Sequence, residues 1–87
     1  MPKRQDNPRQ VRPVERALRL TFGRNLRAAR EAAGLTQADL HQRLGFAQSY
    51  ISQVERGVVN ISLHTMSRLA ALLNTTVNEL LGGNKSE

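Results

Sequence analysis

The 87-residue chain has room for one domain, and a chain of this size buries only about 60 to 65 per cent of the surface its unfolded form exposes, so a partner subunit would add stability. It contains no cysteine, which excludes a disulfide frame and a zinc finger, and its two histidines and seven acids stand at spacings that suggest no metal cluster. A formal net charge of +6 favours a polyanionic partner, and the charge is uneven: residues 1–30 hold nine Lys and Arg against two acids (+7), residues 31–87 four against five (−1).

Residues 1–13 carry three prolines, four basic residues, Asp6, Asn7 and two glutamines with no apolar periodicity, which predicts a flexible basic arm. Pro13 suits the first turn of a helix continuing to Ala33. Leu18, Phe22, Leu26, Ala29 and Ala33 fall on one stripe of it, with Arg16, Arg19, Arg24 and Arg27 mostly off that stripe. Gly23 interrupts it only in propensity. Gly34 ends it, and Leu35 can turn its side chain into the core.

The stretch TQADLHQRLGFAQSYISQVERG, residues 36–57, contains two short helices and little else. Thr36 can cap the first, with Asp39 three residues on beside the free backbone N–H groups. Leu40 and Leu44 form its apolar stripe, and Gly45 ends it where a left-handed conformation costs least. A second helix follows after Phe46, with Ile51 and Val54 on its inner side. Gln48, Ser49, Ser52, Gln53 and Arg56 are on its other faces, and Gly57 stops it. Two helices this close, the second rich in hydrogen-bonding side chains and poor in acid, form the helix-turn-helix pattern, and a duplex major groove is the surface such a helix fits.

Ser62 can cap a fourth helix running to about Leu73, with Met66, Leu69, Ala70 and Leu73 inward and His64, Ser67 and Arg68 more exposed. Asn74 and Thr75 break it. Thr76 and Glu79 have capping-box spacing for a last helix through Leu81, ended by Gly82 and Gly83. No strand pattern appears. The predicted organisation is all-α with five helices: an arm over residues 1–13, a helix-turn-helix domain over 14–82 and a flexible tail over 83–87.

In order, FGRNLRAARE from Phe22, GLTQADLHQRLG, QSYISQVERG, NISLHTMSRLA and the ending VNELLG resemble the Cro/cI repressor-like helix-turn-helix (XRE-type) family. These are small prokaryotic and phage transcriptional regulators and include restriction-modification controller proteins, to which the NISL segment is most similar. The resemblance spans roughly residues 22–82 and implies a five-helix DNA-binding domain; residues 1–20 lie outside it. His41 stands where the family usually has alanine, so it must lean out or widen the angle between the paired helices.

Exposure on the second helix of the pair selects the candidate base-reading residues. Gln48 and Gln53 can each make paired hydrogen bonds with an adenine edge, and Ser49 and Ser52 can donate or accept. The resemblance implies that these four positions face the major groove. Gln37, at a helix N-terminus, can bind phosphate through its amide and the free backbone N–H groups, as the matching family position does. Tyr50 and Arg56 flank the reading face and Asn60 lies in the loop that the family runs beside the DNA backbone, so all three are candidate phosphate contacts; the Tyr50 ring suits a half-buried place equally well. The resemblance further implies a structural ion pair between Arg30 and Glu55.

The expected function is a sequence-specific DNA-binding transcriptional regulator that binds a palindromic operator on double-stranded DNA as a homodimer, with Val77, Leu80 and Leu81 as candidate apolar contact residues. The alternative is an antitoxin-like interaction module whose arm folds on a protein partner. Lys3, Arg4, Arg9 and Arg12 of the arm can also follow a phosphate backbone or enter a narrow A·T minor groove. No clustered acid, base and nucleophile suggests an enzyme, and no cofactor or metal is expected. With no apolar run near about 18 residues and no signal-peptide pattern, a cytoplasmic protein without a membrane span is expected.

Overall fold

Leucine, isoleucine and phenylalanine at three- and four-residue spacing draw five α-helices around one core. A computed structural model of the protein describes residues 8–83, with side chains from Pro13 onward. The helices are α1 (Pro8–Ala32), α2 (Gln37–Leu44), α3 (Gln48–Arg56), α4 (Leu63–Leu72) and α5 (Val77–Leu80), and there is no strand among the described residues. Phe22, Leu26, Leu40, Ile51, Val54, Leu69, Ala70 and Leu80 form the buried core, one or two from every helix. Full burial of a side chain as large as Phe, Leu or Ile contributes about 1.5 to 3 kcal/mol. α1 and α2 pack against α3, and α5 closes the other side against α1 and α4.

α1 begins at Pro8, upstream of the start expected at Pro13. Pro8 sacrifices nothing there, because the first N–H groups of a helix have no intrahelical partner. Pro13, inside the helix, lacks the N–H that would reach the carbonyl four residues back. Residues 1–7 of the expected arm and 84–87 of the expected tail lie outside the described residues.

Two stripe residues of α1 are not in the core. Leu18 is 47% exposed because it stands over an open groove that it lines with Ile61, Met66 and Leu81, and Ala33 is exposed because α1 ends at Ala32 and the chain turns there. At the other end, Leu80 is 2% exposed and belongs to the core, which leaves half-buried Val77 and Leu81 of the three candidate contact residues. The expected capping box of α5 is half formed. Thr76 Oγ1 accepts from the Glu79 N–H at 3.0 Å, but the Glu79 carboxylate accepts from the Thr75 hydroxyl at 2.6 Å instead of turning back to the cap.

Gly23 has a packing role. A Cβ built there would stand 2.5 Å from the carbonyl oxygens of both Val54 and Glu55, so α1 and α3 touch backbone to backbone at this point. On helix propensity alone Gly23→Ala should gain about 1 kcal/mol. Because the obstructing atoms are main-chain carbonyls, we expect the opposite sign, a loss of about 2 to 3 kcal/mol. Chemical denaturation of the variant decides between them: a raised midpoint would mean that α1 and α3 can part at no cost.

Candidate nucleic-acid interface

The start of α2 is determined locally. Thr36 Oγ1 accepts from the Asp39 N–H at 3.0 Å, and the Asp39 carboxylate accepts from the Thr36 N–H at 2.7 Å, a complete capping box. Hydrogen bonding from Thr36 to the carboxylate, that of its backbone N–H first, favours the charged form and lowers the Asp39 pKa. Gly45 ends α2 with φ 83°, a left-handed conformation, and its N–H donates to the His41 carbonyl at 2.8 Å. His41 leans out, exposed, and its Nδ1 lies 2.7 Å from the Phe46 carbonyl. A carbonyl only accepts, so Nδ1 carries the proton in this contact. The histidine thus ties α2 to the turn.

That turn is also held from α4. The Arg68 guanidinium carbon lies 4.9 Å from the centre of the Phe46 ring, while Nη2 donates to the Leu44 carbonyl at 2.9 Å. Phe46 packs against Tyr50, with ring centres 5.9 Å apart and planes inclined by 52°, and Tyr50 is half-buried. Arg68 was expected among the more exposed residues of its helix; nothing in the spacing of α4 points to its partner 24 residues upstream.

α3 is set by its inner face. Ile51 and Val54 are 1% and 3% exposed, and Gly57 caps the helix at φ 74°. Beside them, Arg30 and Glu55 are 8% and 9% exposed. Arg30 Nε donates to Glu55 Oε2 at 2.6 Å and Nη2 to Oε1 at 3.0 Å, a bidentate pair across the α1–α3 contact. Nη1 donates to the Leu35 carbonyl at 2.9 Å, and Gln37 Nε2 adds a third donor to the carboxylate at 3.1 Å from Oε1. The Arg30 pKa is raised, chiefly by the hydrogen bond to Glu55, so the guanidinium keeps its charge despite burial. One network thus ties α1, the turn after it, the first residue of α2 and the end of α3.

With that face inward, the opposite face of α3 turns to solvent. Gln48, Ser49 and Arg56 are exposed, and Ser52 and Gln53 partly so. Asn60, in the loop after α3, is exposed. Gln37 is half-buried with its amide directed to Glu55, leaving its backbone N–H, at the first position of α2, as the outward donor. The described residues contain no group of three or more His, Cys, Asp or Glu placed to hold a metal ion, and no helix among them is long and apolar enough to cross a membrane.

Comparison with known proteins agrees with this geometry. The Helix-turn-helix family model matches residues 26–80, from the second half of α1 to α5. An uncharacterized HTH-type transcriptional regulator of Sinorhizobium fredii is 38% identical over 64 residues, which cover 74% of this chain and 83% of that protein. The crystal structure of the restriction-modification controller protein C.AhdI from Aeromonas hydrophila matches with a TM-score of 0.67 at 40% identity, over 71% of this chain and 94% of that one. That of a hypothetical transcription factor from Neisseria matches with a TM-score of 0.70 at 34% identity, over 77% of each chain. Measured against its sequence, the match spans 65% of the Neisseria meningitidis protein. The capped helix pair, its polar outward face and these likenesses place the chain in the Cro/cI repressor-like helix-turn-helix family of DNA-binding transcriptional regulators.

Proposed function

We propose that the protein is a sequence-specific regulator that binds a palindromic operator as a homodimer, inserting α3 of each copy into the major groove. The observation that carries this reading is the network of Arg30, Glu55 and Gln37, which holds the inner face of α3 so that Gln48, Ser49, Ser52 and Gln53 are presented together on a rigid element. Gln48 and Gln53 read base edges, with Ser49 and Ser52 between them. The backbone N–H of Gln37, the Arg56 guanidinium, the Tyr50 hydroxyl and the Asn60 amide meet phosphates at the two ends of the reading helix and set its register. One α3 spans few base pairs, so two copies on symmetric half-sites supply the specificity; half-buried Val77 and Leu81 offer apolar surface for their contact.

Selection of bound duplexes from a random pool at fixed salt tests the reading. It should enrich a two-fold symmetric site with half-site centres about 34 Å apart, one helical turn. Sedimentation of the selected complex should give two chains per duplex. Only monomers at micromolar protein, free and on the selected DNA, would overturn the dimer; a pool that stays random after repeated rounds would overturn the sequence-specific reading.

A further inference from the structure

The upstream part of α1 lies outside the residues that the family model matches, and it runs past the C-terminal end of α3. Gly23 touches the Val54 and Glu55 carbonyls, and a Cβ on Gly57 would stand 3.0 Å from the Leu20 Cα, so one side of α1 lies along the end of the reading helix. Continued upstream at helical spacing, that side carries Arg19 and Arg16. Across from it is the loop that leaves α3. Between the two is an open cleft of about 500 Å³, lined by Glu15, Arg16, Arg19, Gly57, Val58 and Asn60.

The geometry points to this cleft as a second seat for the DNA backbone, in which Arg16 and Arg19 of α1, together with Asn60 of the loop, take a phosphodiester beyond the end of α3. This rests on the reading proposed above, and extends it to residues outside the helix-turn-helix. Arg56 is on the same face of α3 as Ser49 and Ser52 and is its last residue, so a strand bounding the groove that α3 occupies passes next over the loop and the cleft.

Part of the donor capacity there is unspent. The Arg19 guanidinium is turned by Glu15, whose Oε2 accepts from Nη2 at 2.7 Å, while its buried Nε has no partner among the described residues. Arg16 is exposed on the rim. Two cations against one carboxylate leave the cleft positive, and guanidinium groups are well shaped for phosphate oxygens. The charge imbalance has a use here: residues 31–87, which include the whole helix pair, carry a balance of −1, so the long-range attraction to a polyanion must come from residues 1–30. α1 carries part of that charge to the edge of the reading surface.

The test is a salt titration of the full chain on the selected duplex and on a random duplex of equal length. The variants are Arg16→Gln, the double Arg16→Gln/Arg19→Gln, and the double with Lys at both positions. Each phosphate contact contributes about 0.9 to the slope of log K against log salt. The Gln double should lose about 0.9 to 1.8 of that slope on both duplexes, the Lys double should keep it, and the ratio of selected to random binding should not change. Arg16→Gln alone, which leaves the Glu15–Arg19 bond in place, should lose about 0.9 and keeps the test open should the double fail to fold. Parallel lines for wild type and a folded Arg16→Gln would overturn the cleft and leave the proposed function intact. Wild-type protein that binds neither duplex would overturn both.

Discussion

Arg30→Ala should lower the free energy of unfolding by about 3 to 5 kcal/mol, the range for removing one partner of a buried ion pair. The cost comes from what is left behind. Glu55 would keep only the Gln37 amide as a donor to its buried carboxylate, and the Leu35 carbonyl would lose the Arg30 Nη1 donor. Against a total of about 5 to 15 kcal/mol for a small domain, this is a large fraction. Urea unfolding of wild type and variant measures it, and coincident midpoints would mean that the pair contributes nothing to folding. Replacing both partners by apolar residues of similar volume, Arg30→Met with Glu55→Leu, should cost far less, because no unpaired charge remains. If Arg30→Ala stays folded, its selected DNA sequence should be that of the wild type, since Arg30 is buried on the inner side of α3.

Gln48→Ala and Gln53→Ala should each cost about 1 to 3 kcal/mol on the selected site, roughly 5- to 150-fold in affinity, and each should flatten the preference at one base pair per half-site. The inner face of α3 is held by Ile51, Val54 and Glu55, so truncating an outward glutamine removes a donor and an acceptor without moving the helix. Arg56→Ala is the contrast. A lost phosphate contact should weaken all sequences alike and lower the salt slope by about 1. The measurement is binding of each variant to the selected duplex, to its single-base variants and to random DNA. Losses of equal size on all of them for both glutamine variants would remove base reading from these residues and leave them as a solvated polar face.

Much of the fold was legible because the signals concerned are local. A cap needs only a side chain and an N–H three residues apart, so Thr36 with Asp39, and Ser62, could be read as helix starts, and both cap their helices, Ser62 by accepting from the Thr65 N–H. Gly45 and Gly57 mark helix ends because a positive φ there strains any residue with a Cβ. Three- and four-residue apolar spacing picked out Phe22, Leu26, Leu40, Ile51, Val54, Leu69 and Ala70, all of them core. The pair of Arg30 and Glu55 was reached through family resemblance, since nothing in the local pattern of either residue names a partner 25 positions away.

Sequence alone therefore determined that there are five helices, the caps that open α2 and α4, the short turn between α2 and α3 and the residue types on the outward side of α3, all of which depend on interactions within one or two helical turns. Tertiary structure decided what depends on distance across the bundle. It made Gly23 a contact point between two backbones rather than a weak spot in a helix, turned the Gln37 amide inward to Glu55, and sent Arg68 to the turn between α2 and α3. It left Leu18 at the surface although its spacing matches the core stripe, because a periodic pattern identifies a helical face but not where the neighbouring helices end. For the same reason the arginines upstream in α1 show in sequence only as basic positions off the core stripe, and the cleft they line is formed by the end of α3 and its following loop, placed across from them by the fold.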